Sequence, residues 1–222
     1  MKILFNGDSN MCGTELSDIS QGIAPQMCNI LNGTEINLAL AGASNDRIYD
    51  TTIEYLRNSP GPDLVVIGWS EFGRVQWFID SNGVGKFYEI NNIGIGDKVP
   101  DVWKKRHHHW SNSVCNNQSY RRALSLYWHE RIFNLHSYLT YLKIPHVFFN
   151  AFHAFSVDEK ANQLNWNNTY LDPYDFDLTY IKFSANSGYK EITPGFYHFE
   201  PQAQRTWAER VSAYVNQHNL IL

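Results

Sequence analysis

The sequence has few cysteines and lacks long apolar runs, and we expect no signal peptide. Its 222 residues include three unclustered cysteines, Cys12, Cys28 and Cys115. An odd number without metal-type spacing argues against a disulfide framework and favours a reducing compartment. No apolar run reaches the roughly 20 residues needed to span a bilayer. Met1 and Lys2 lead directly into a short apolar run that does not resemble a signal peptide, so we expect a cytoplasmic protein.

The net charge of the chain does not indicate a polyanionic partner. The formal net charge is −4, which gives no reason to expect a nucleic acid or a membrane as partner. Hydrophobic residues make up 43% and charged residues 18% of the chain, which is typical of a globular protein with a proper core. The length favours a single domain over residues 1–222. The oligomeric state is not indicated.

Strand and helix patterns alternate through the first third of the chain. Three apolar runs are typical of strands, at 3–5, 35–41 and 64–67. Patterns typical of helices lie between them, at 15–31 and 46–56. Further along, 118–142 predicts a long helix, 146–150 a fourth core strand, and Pro201 the start of a last helix. This order predicts an α/β fold, with a parallel sheet covered by helices.

Residues 74–116 interrupt this alternation. Two aromatic stretches flank the turn-forming residues 81–85 and predict a β-hairpin outside the main sheet. We interpret 74–116 as an insertion that forms a wall or lid near the carboxyl edge of the sheet. It contains the consecutive histidines His107, His108 and His109. Adjacent residues do not share one face of a helix or strand, so a solvated loop is a better interpretation than a metal site.

Polar turn residues follow the first three predicted strands. Ser9, Gly42 and Ser70 lie in these turns, and His198 precedes the last helix. The carboxyl ends of parallel strands meet at one edge, where open α/β folds bind ligands. A serine next to a histidine can act as a nucleophile, and glycine-rich strand ends can supply oxyanion donors. The alternative is that Asp8 or Ser9 merely caps a helix.

Four segments resemble, in order, the motif blocks of the SGNH (GDSL-type) hydrolases. Phe5-Asn-Gly-Asp-Ser-Asn-Met-Cys-Gly13 resembles the first block, G-D-S-x-x-x-G, and Leu40-Ala-Gly-Ala-Ser-Asn45 resembles the second. Val65-Val-Ile-Gly-Trp-Ser-Glu71 lies at the position of the third block, G-x-N-[DE]. Residues 197–208 resemble the last block, in which the catalytic histidine precedes the final helix. The resemblance spans nearly the whole chain.

This resemblance implies a flavodoxin-like three-layer α/β/α sandwich with a central parallel sheet and an ester-hydrolysing site. It implies that Ser9 is the nucleophile and that His198 is the base and then the acid. The backbone N–H groups of Ser9 and Gly42 are the implied oxyanion donors. The expected substrate is a small-molecule or glycan ester, such as an O-acetyl group on a carbohydrate, and no metal or organic cofactor is expected.

Two positions depart from the family pattern. The third-block Asn, a further oxyanion donor, is replaced by Ser70, and the Asp three residues before the histidine is replaced by Gly195. We expect the Ser70 hydroxyl to donate instead, and a backbone carbonyl, Glu200 or an Asp from 172–177 to orient His198. Losing an oxyanion donor costs about 100- to 1000-fold in rate, and losing a triad Asp about 10⁴-fold. Catalysis is therefore adapted to an undemanding ester, or is weak or absent.

Five further residues near the motif blocks are candidates for substrate binding: Asp8, Asn45, Trp69, Arg74 and His153. For Arg74 a surface ion pair, and for His153 a structural hydrogen bond, are the alternatives. The third-block variant with its aromatic hairpin resembles SGNH-like proteins of tailed bacteriophages, which adds the host cytoplasm or the virion as expected locations.

Two other functions remain open. One is a catalytically inactive SGNH-fold protein with a binding or structural role, which the two replaced residues favour. The other is a flavodoxin-like nucleotide binder, which is the weaker hypothesis because the first loop contains neither GxGxxG nor a Walker-type lysine.

Overall fold

A computed structural model describes residues 1–81, 84–90, 101–156 and 164–221. Its strands are β1 Lys2–Asn6, β2 Thr34–Asn37, β3 Leu64–Trp69, β4 Val75–Ser81, β5 Val84–Ile90, β6 His146–Asn150 and β7 Tyr170–Leu171. Its α-helices are α1 Ser9–Cys12, α2 Ile23–Leu31, α3 Asn45–Asn58, α4 Asp101–Asn116, α5 Gln118–Tyr141, α6 Tyr180–Asn186 and α7 Pro201–Gln217. Short 3₁₀ turns lie at Ile19–Gln21 and Phe176–Leu178.

The described strands form one parallel sheet and one separate hairpin. The sheet has the order β2-β1-β3-β6-β7, and every neighbouring pair is parallel. Counted along the chain without the hairpin, this is the 2-1-3-4-5 order of flavodoxin-like folds. The predicted α/β fold with a central parallel sheet and flanking helices is confirmed. The β7 strand was not predicted, because its two residues are too few to show a periodicity.

Alternate residues of the strands point to opposite faces of the sheet, and helices cover both faces. One face packs against α2 and α7, through Ile3, Phe5, Val66, Phe149, Met27, Trp207 and Val211. The other packs against α3 and α5, through Leu4, Val65, Phe148, Ile48, Trp128 and Ile132. All six residues of β3 are buried, which is typical of a central strand covered by helices.

The inserted segment contains the predicted hairpin but not the predicted histidine loop. Strands β4 and β5 pair antiparallel outside the main sheet. The prediction of a solvated loop at His107–His109 is wrong, since these residues lie within α4. Trp103, His107 and Trp110 follow helical spacing and contact Trp77 of the hairpin, with ring centroids 5.8, 6.5 and 5.9 Å away. This aromatic face stabilises the helix against the hairpin.

Two other boundaries differ from the predictions. Only 23–31 of the predicted helix at 15–31 is α-helical, and β2 ends at Asn37 rather than residue 41. The final helix begins at Pro201 as predicted. Within the described ranges, no helix has both the length and the apolar character needed to cross a membrane.

Candidate active site

The turn between β1 and α1 is held by Asp8. The Asp8 side chain caps the helix, because its Oδ1 accepts a hydrogen bond of 3.0 Å from the backbone N–H of Asn10. Ser9 is the first residue of α1 and is 5% exposed. Within the described part of the chain its hydroxyl makes no hydrogen bond. The capping role therefore falls to Asp8 and leaves the Ser9 hydroxyl unused.

Gly7 is required by close packing. A Cβ at this position would lie 2.8 Å from Met11 Cβ and 3.0 Å from the carbonyl oxygen of Gly68. A side chain there would push the β1–α1 turn away from β3. The turn is also fixed by Asn6, whose amide donates to Thr52 Oγ1 of α3 at 2.9 Å.

Asp8 also forms a buried polar network with Ser70 and Arg74. Its Oδ2 accepts hydrogen bonds from Ser70 Oγ at 2.9 Å and from Arg74 Nη1 at 3.0 Å, and Asp8 is 1% exposed. Arg74 Nη1 also donates to Ser70 Oγ at 2.8 Å. A carboxylate accepts only and a guanidinium donates only, so the single hydroxyl hydrogen of Ser70 points to Asp8. The prediction that this hydroxyl is the third oxyanion donor is therefore wrong.

Arg74 faces inward rather than towards solvent. Its side chain is 12% exposed and pairs with Asp8, and its guanidinium lies 4.7 Å above the ring of Phe152. In this structure Arg74 neutralises the buried carboxylate beside Ser9. It is not the surface ion pair that was the alternative for this residue.

Gly42 lies in the turn after β2. It has a φ of +77°, and the Ala43 N–H donates to the Leu40 carbonyl at 3.0 Å across the turn. Because no atom lies within 4 Å of a Cβ built there, the positive φ is what favours glycine. The backbone N–H of Leu40 donates to the Gly7 carbonyl at 3.2 Å, so this loop lies beside the β1–α1 turn.

Two of the proposed substrate-binding residues have structural roles. Asn45 is wholly buried; its Oδ1 accepts from the Ser70 N–H at 2.8 Å, and its Nδ2 donates to the Ser70 carbonyl at 3.2 Å. Trp69 is also wholly buried and packs edge-on against Phe148, with ring centroids 5.6 Å apart. Asp8, Asn45 and Trp69 are at most 1% exposed, so this structure leaves none of them a surface for the predicted contact with substrate.

A carboxylate lies next to His198, but it is not one of the predicted ones. Glu15 Oε2 is 3.1 Å from His198 Nδ1, and His198 is 9% exposed. The Nδ1 atom has no hydrogen-bond partner among the described residues, so the contact with Glu15 is close but is not a hydrogen bond in this structure. Glu15 occupies a left-handed backbone conformation with φ +69° just after α1.

The residues expected to orient His198 have other partners. Glu200 Oε1 accepts from the backbone N–H of Lys190 at 3.1 Å, and the Gly195 N–H donates to Glu191. Asp172, at the start of the 172–177 segment, pairs with Arg210 at 2.8 Å. The carboxylate that this structure places beside His198 is therefore Glu15, and neither Glu200 nor Asp172. The sequence signal was an acidic residue shortly after the nucleophile motif, at the same sheet edge.

His153 lies at the neighbouring strand end. Its Nε2 is 3.9 Å from Glu71 Oε1, and its side chain is 44% exposed. Burial raises the pKa of Glu71, but His153, Arg74 and Arg121 more than offset burial, so the pKa lies below its ordinary value. Glu71 is therefore an anion at neutral pH.

A cavity of about 590 Å³ opens beside His153. It lies between the turn after β3, the beginning of α5 and the segment after β6, and its lining includes Glu71, Arg121, Arg122, Ser125 and His153. Neither Ser9 nor His198 lines it. Among the residues that the structure describes, no group of three or more His, Cys, Asp or Glu is arranged to hold a metal ion.

Comparison with solved structures supports the fold. The chain is similar to TesA, with a TM-score of 0.55 and 11% identity over 98% of this chain and 99% of that chain. It also matches the acetyl xylan esterase Est2A from the rumen bacterium Butyrivibrio proteoclasticus, with a TM-score of 0.42 and 12% identity over 99% of this chain and 65% of that chain. At such identities the likeness to TesA shows a shared fold and no more.

The sequence comparisons give a family. No curated protein matches the chain. A family model described as a family of unknown function, DUF6071, matches residues 20–222. The match includes Gly42, Ser70, Arg74 and His198 and begins after the β1–α1 turn. Because it covers most of the sequence, the chain belongs to the DUF6071 family.

Proposed function

We propose that this protein is a serine esterase that hydrolyses a small acyl ester, such as an O-acetyl group on a carbohydrate. The observation that supports this most is the 3.1 Å separation of Glu15 Oε2 and His198 Nδ1. A serine esterase needs a group that holds the histidine in the correct tautomer. In the SGNH pattern that group is an Asp, and its position is occupied by Gly195 here. In the proposed reaction His198 Nδ1–H donates to Glu15, which keeps the proton on that nitrogen and leaves Nε2 free to act as the base.

In the proposed first step, Ser9 Oγ attacks the carbonyl carbon of the ester while His198 Nε2 takes the hydroxyl proton. The ester C–O bond then breaks, and His198 gives this proton to the departing alcohol oxygen. Ser9 now carries the acyl group. Glu15 stabilises the imidazolium that forms between the two proton transfers.

In the second step, a water molecule attacks the acyl carbon and His198 takes one of its protons. The bond between Ser9 Oγ and the acyl group breaks, the carboxylic acid leaves, and the proton returns to Ser9. In each step the developing oxyanion is held by the backbone N–H groups of Ser9 and Gly42. Neither N–H has a partner among the described residues.

Arg74 has an electrostatic role in this proposal. An unpaired Asp8 carboxylate beside Ser9 would repel an oxyanion through a medium of low dielectric constant. The ion pair of 3.0 Å between Arg74 and Asp8 cancels most of that repulsion. The site therefore lacks a third neutral donor, but it does not place a bare negative charge next to the reacting group.

The proposal also specifies a substrate and a biological origin. On the third-block resemblance, we propose an acetylated surface polysaccharide as the substrate and a tailed bacteriophage as the origin. The test is to incubate the protein with an acetylated surface polysaccharide and to measure the acetate released. The same polysaccharide after chemical deacetylation is the control and should release none.

The activity itself is tested with 4-nitrophenyl acetate and three proteins: the wild type, Ser9→Ala and His198→Ala. We expect hydrolysis by the wild type and a loss of at least about 100-fold in both variants. Labelling by a fluorophosphonate probe should require Ser9. Equal rates in the three proteins would contradict the proposal.

A second candidate is an inactive protein that keeps the fold and binds a ligand. It is favoured by the lack of a hydrogen bond between Ser9 Oγ and His198 among the described residues. This candidate predicts no fluorophosphonate labelling of the folded wild type. Covalent labelling at Ser9 would exclude it.

A further inference from the structure

We propose that a row of aromatic side chains at the carboxyl edge of the sheet binds successive sugar rings of a polysaccharide chain. This aromatic row consists of Tyr197, Phe152, His153 and Phe176. The inference rests on the proposed function and deepens it, because the polysaccharide is the alcohol half of the ester. It assigns a ligand to rings that the proposed reaction itself does not use.

Ring contacts connect the row across three segments of the chain. Tyr197 precedes His198, and its ring meets the Phe152 ring edge-on, with centroids 6.3 Å apart. Phe152 and His153 are consecutive residues after β6, and His153 stacks on Phe176 with centroids 6.4 Å apart. Phe176 begins the 3₁₀ turn before α6. The row therefore offers more rings than a single sugar can cover.

One end of the row lies beside the proposed reaction centre. The Arg74 guanidinium lies 4.7 Å above the Phe152 ring and pairs with the carboxylate that precedes Ser9. Tyr197 is the residue directly before His198. A polysaccharide that packs on Phe152 and Tyr197 therefore carries its ester substituents close to the proposed catalytic pair.

The rings of the row are accessible as well as connected. Tyr197 is 43% exposed, Phe176 is 46% exposed, and the His153 side chain is 44% exposed. Single exposed aromatic residues are ordinary on a protein surface, whereas a connected patch of them is typical of a binding surface. Covering these ring faces with a ligand removes apolar surface from water, which favours binding.

The backbone around Tyr197 is held in an uncommon conformation. Its φ of +60° lies in the left-handed region, where a bulky residue is an outlier. The loop that contains it is closed by a hydrogen bond of 2.7 Å from the Ile192 N–H to the His198 carbonyl and by one from the Gly195 N–H to the Glu191 carboxylate. Such conformations persist only where the surroundings enforce them, and they are concentrated at functional sites. This loop therefore fixes where the Tyr197 ring begins.

The chemistry of the row favours a sugar over an acyl chain. A sugar ring has apolar C–H groups on its faces and hydroxyl groups around its edge. Tyrosine and histidine have the same division, with an apolar ring and a polar tip that can form hydrogen bonds. A purely apolar acyl chain matches only the ring faces. Tyr197 and His153 therefore suit a polysaccharide better than a lipid-like ester.

The direct test is a binding titration with three neutral hexasaccharides that carry no ester: cellohexaose, xylohexaose and mannohexaose. We expect the wild type to bind at least one of them at least about tenfold more tightly than the corresponding disaccharide, which corresponds to about 1.4 kcal/mol. The physical reason is that a longer chain covers more rings of the row. No binding of any hexasaccharide, or equal affinity for the disaccharide, would overturn the inference. Hexanoate is the apolar comparison, and binding of hexanoate alone would assign the row to an acyl chain instead.

The variant test uses Tyr197→Asn, with Tyr141→Asn as a matched control. Asparagine tolerates the left-handed backbone conformation, so this replacement removes the ring without straining the loop. Tyr141 is 82% exposed at the end of α5, at the opposite edge of the sheet, where β6 begins. We expect Tyr197→Asn to weaken hexasaccharide binding at least about tenfold and Tyr141→Asn to change it less than twofold. Unchanged binding in Tyr197→Asn, or an equal loss in both variants, would contradict the proposal.

Two further variants test the ring contacts separately. Phe176→Ala removes the ring at the other end of the row and should also weaken hexasaccharide binding, so the test does not depend on Tyr197 alone. Tyr197→Phe keeps the ring and should keep the affinity within about threefold. Unchanged binding in Phe176→Ala, or an equal loss in Tyr197→Phe and Tyr197→Asn, would show that the rings do not bind the sugar chain as proposed.

These binding measurements are independent of esterase activity. Hexasaccharide binding that requires Tyr197, without hydrolysis of 4-nitrophenyl acetate, would support the aromatic row and contradict the proposed esterase. Hydrolysis without such binding would support the esterase and overturn the proposed ligand.

Discussion

Glu15 and His198, from opposite ends of the chain, lie with Oε2 and Nδ1 3.1 Å apart. In the proposed mechanism, the carboxylate that the SGNH pattern places three residues before the histidine is supplied instead from the segment after α1. Glu15 reaches that position because it adopts a left-handed backbone conformation at the end of the nucleophile turn. One short segment thus carries both the proposed nucleophile and the group proposed to orient its base.

The replacement Glu15→Gln should lower kcat by about 100- to 10,000-fold with little change in KM, because the tautomer of His198 is no longer fixed. Steady-state kinetics with 4-nitrophenyl acetate measures this effect. Glu200→Gln is the matched control, because the Glu200 carboxylate accepts a hydrogen bond from the Lys190 N–H and does not contact His198. This replacement should change kcat less than threefold. A larger loss in Glu200→Gln than in Glu15→Gln would show that the wrong carboxylate has been assigned.

The replacement Ser70→Ala should affect stability more than catalysis. Its hydroxyl bonds both Asp8 and Arg74, so its loss leaves buried polar atoms unsatisfied and should lower the free energy of unfolding by about 1 to 3 kcal/mol. Urea unfolding gives this value. We expect kcat to fall by less than the roughly 100-fold typical of a lost oxyanion donor. Ser113→Ala, which removes an exposed hydroxyl from α4, should leave both quantities unchanged.

The replacement Arg74→Met should lower the free energy of unfolding by about 3 kcal/mol, because it leaves Asp8 as a buried carboxylate without its ion pair. The double variant Asp8→Asn/Arg74→Met removes both charges and should be more stable than Arg74→Met alone. Urea unfolding of the wild type, Asp8→Asn, Arg74→Met and the double variant completes the double-mutant cycle. Strictly additive losses would show that the two side chains do not interact.

Stability should fall as the pH is lowered from about 6.5 to about 4. Burial lowers the pKa of His129 and of His146 to about 4, against 6.5 for an exposed histidine. Between these values the unfolded chain binds more protons than the folded chain, so protonation favours unfolding. The free energy of unfolding from urea titrations should therefore rise with pH across this window.

A variant test of this pH dependence uses His129, whose Nε2 is 3.1 Å from the Tyr174 hydroxyl. Replacing His129 with glutamine keeps a polar group there but removes one titrating group, so the slope of the free energy of unfolding against pH should decrease between pH 4 and 6.5. An identical slope in the wild type and in His129→Gln would contradict the assignment to this side chain.

The fold was largely predictable because its central strands, β3 and β6, are buried on both faces. Leu64–Trp69 is an almost uninterrupted apolar run, which is a strong local signal for a central strand. The two-residue β7 gives no such signal, since it joins the sheet only by pairing with β6. The α4 helix was not predicted because its packing face, Trp103, His107 and Trp110, is interrupted by polar residues and is completed only by contact with Trp77 of the hairpin.

The candidate site was less predictable, because its interactions join residues that are distant in sequence. The motif blocks indicated Ser9 and His198 as the residues to examine. They did not indicate that Arg74 would donate a hydrogen bond to the Ser70 hydroxyl, or that the Glu15 carboxylate would lie beside the His198 ring. Both contacts depend on where the loops at the sheet edge pass each other, and local sequence patterns carry no information on that.

The pair of hydrogen bonds between the Asn45 side chain and the Ser70 backbone has a consequence for the evolution of specificity. It joins the loops after β2 and β3, and Arg74 and Asp8 join the loop after β3 to the one after β1. The three loops therefore form one rigid unit in which a change at any position disturbs the others. If the proposed chemistry at Ser9 is correct, substitutions that change the substrate are therefore expected outside these three loops, where they leave the turn at Ser9 in place.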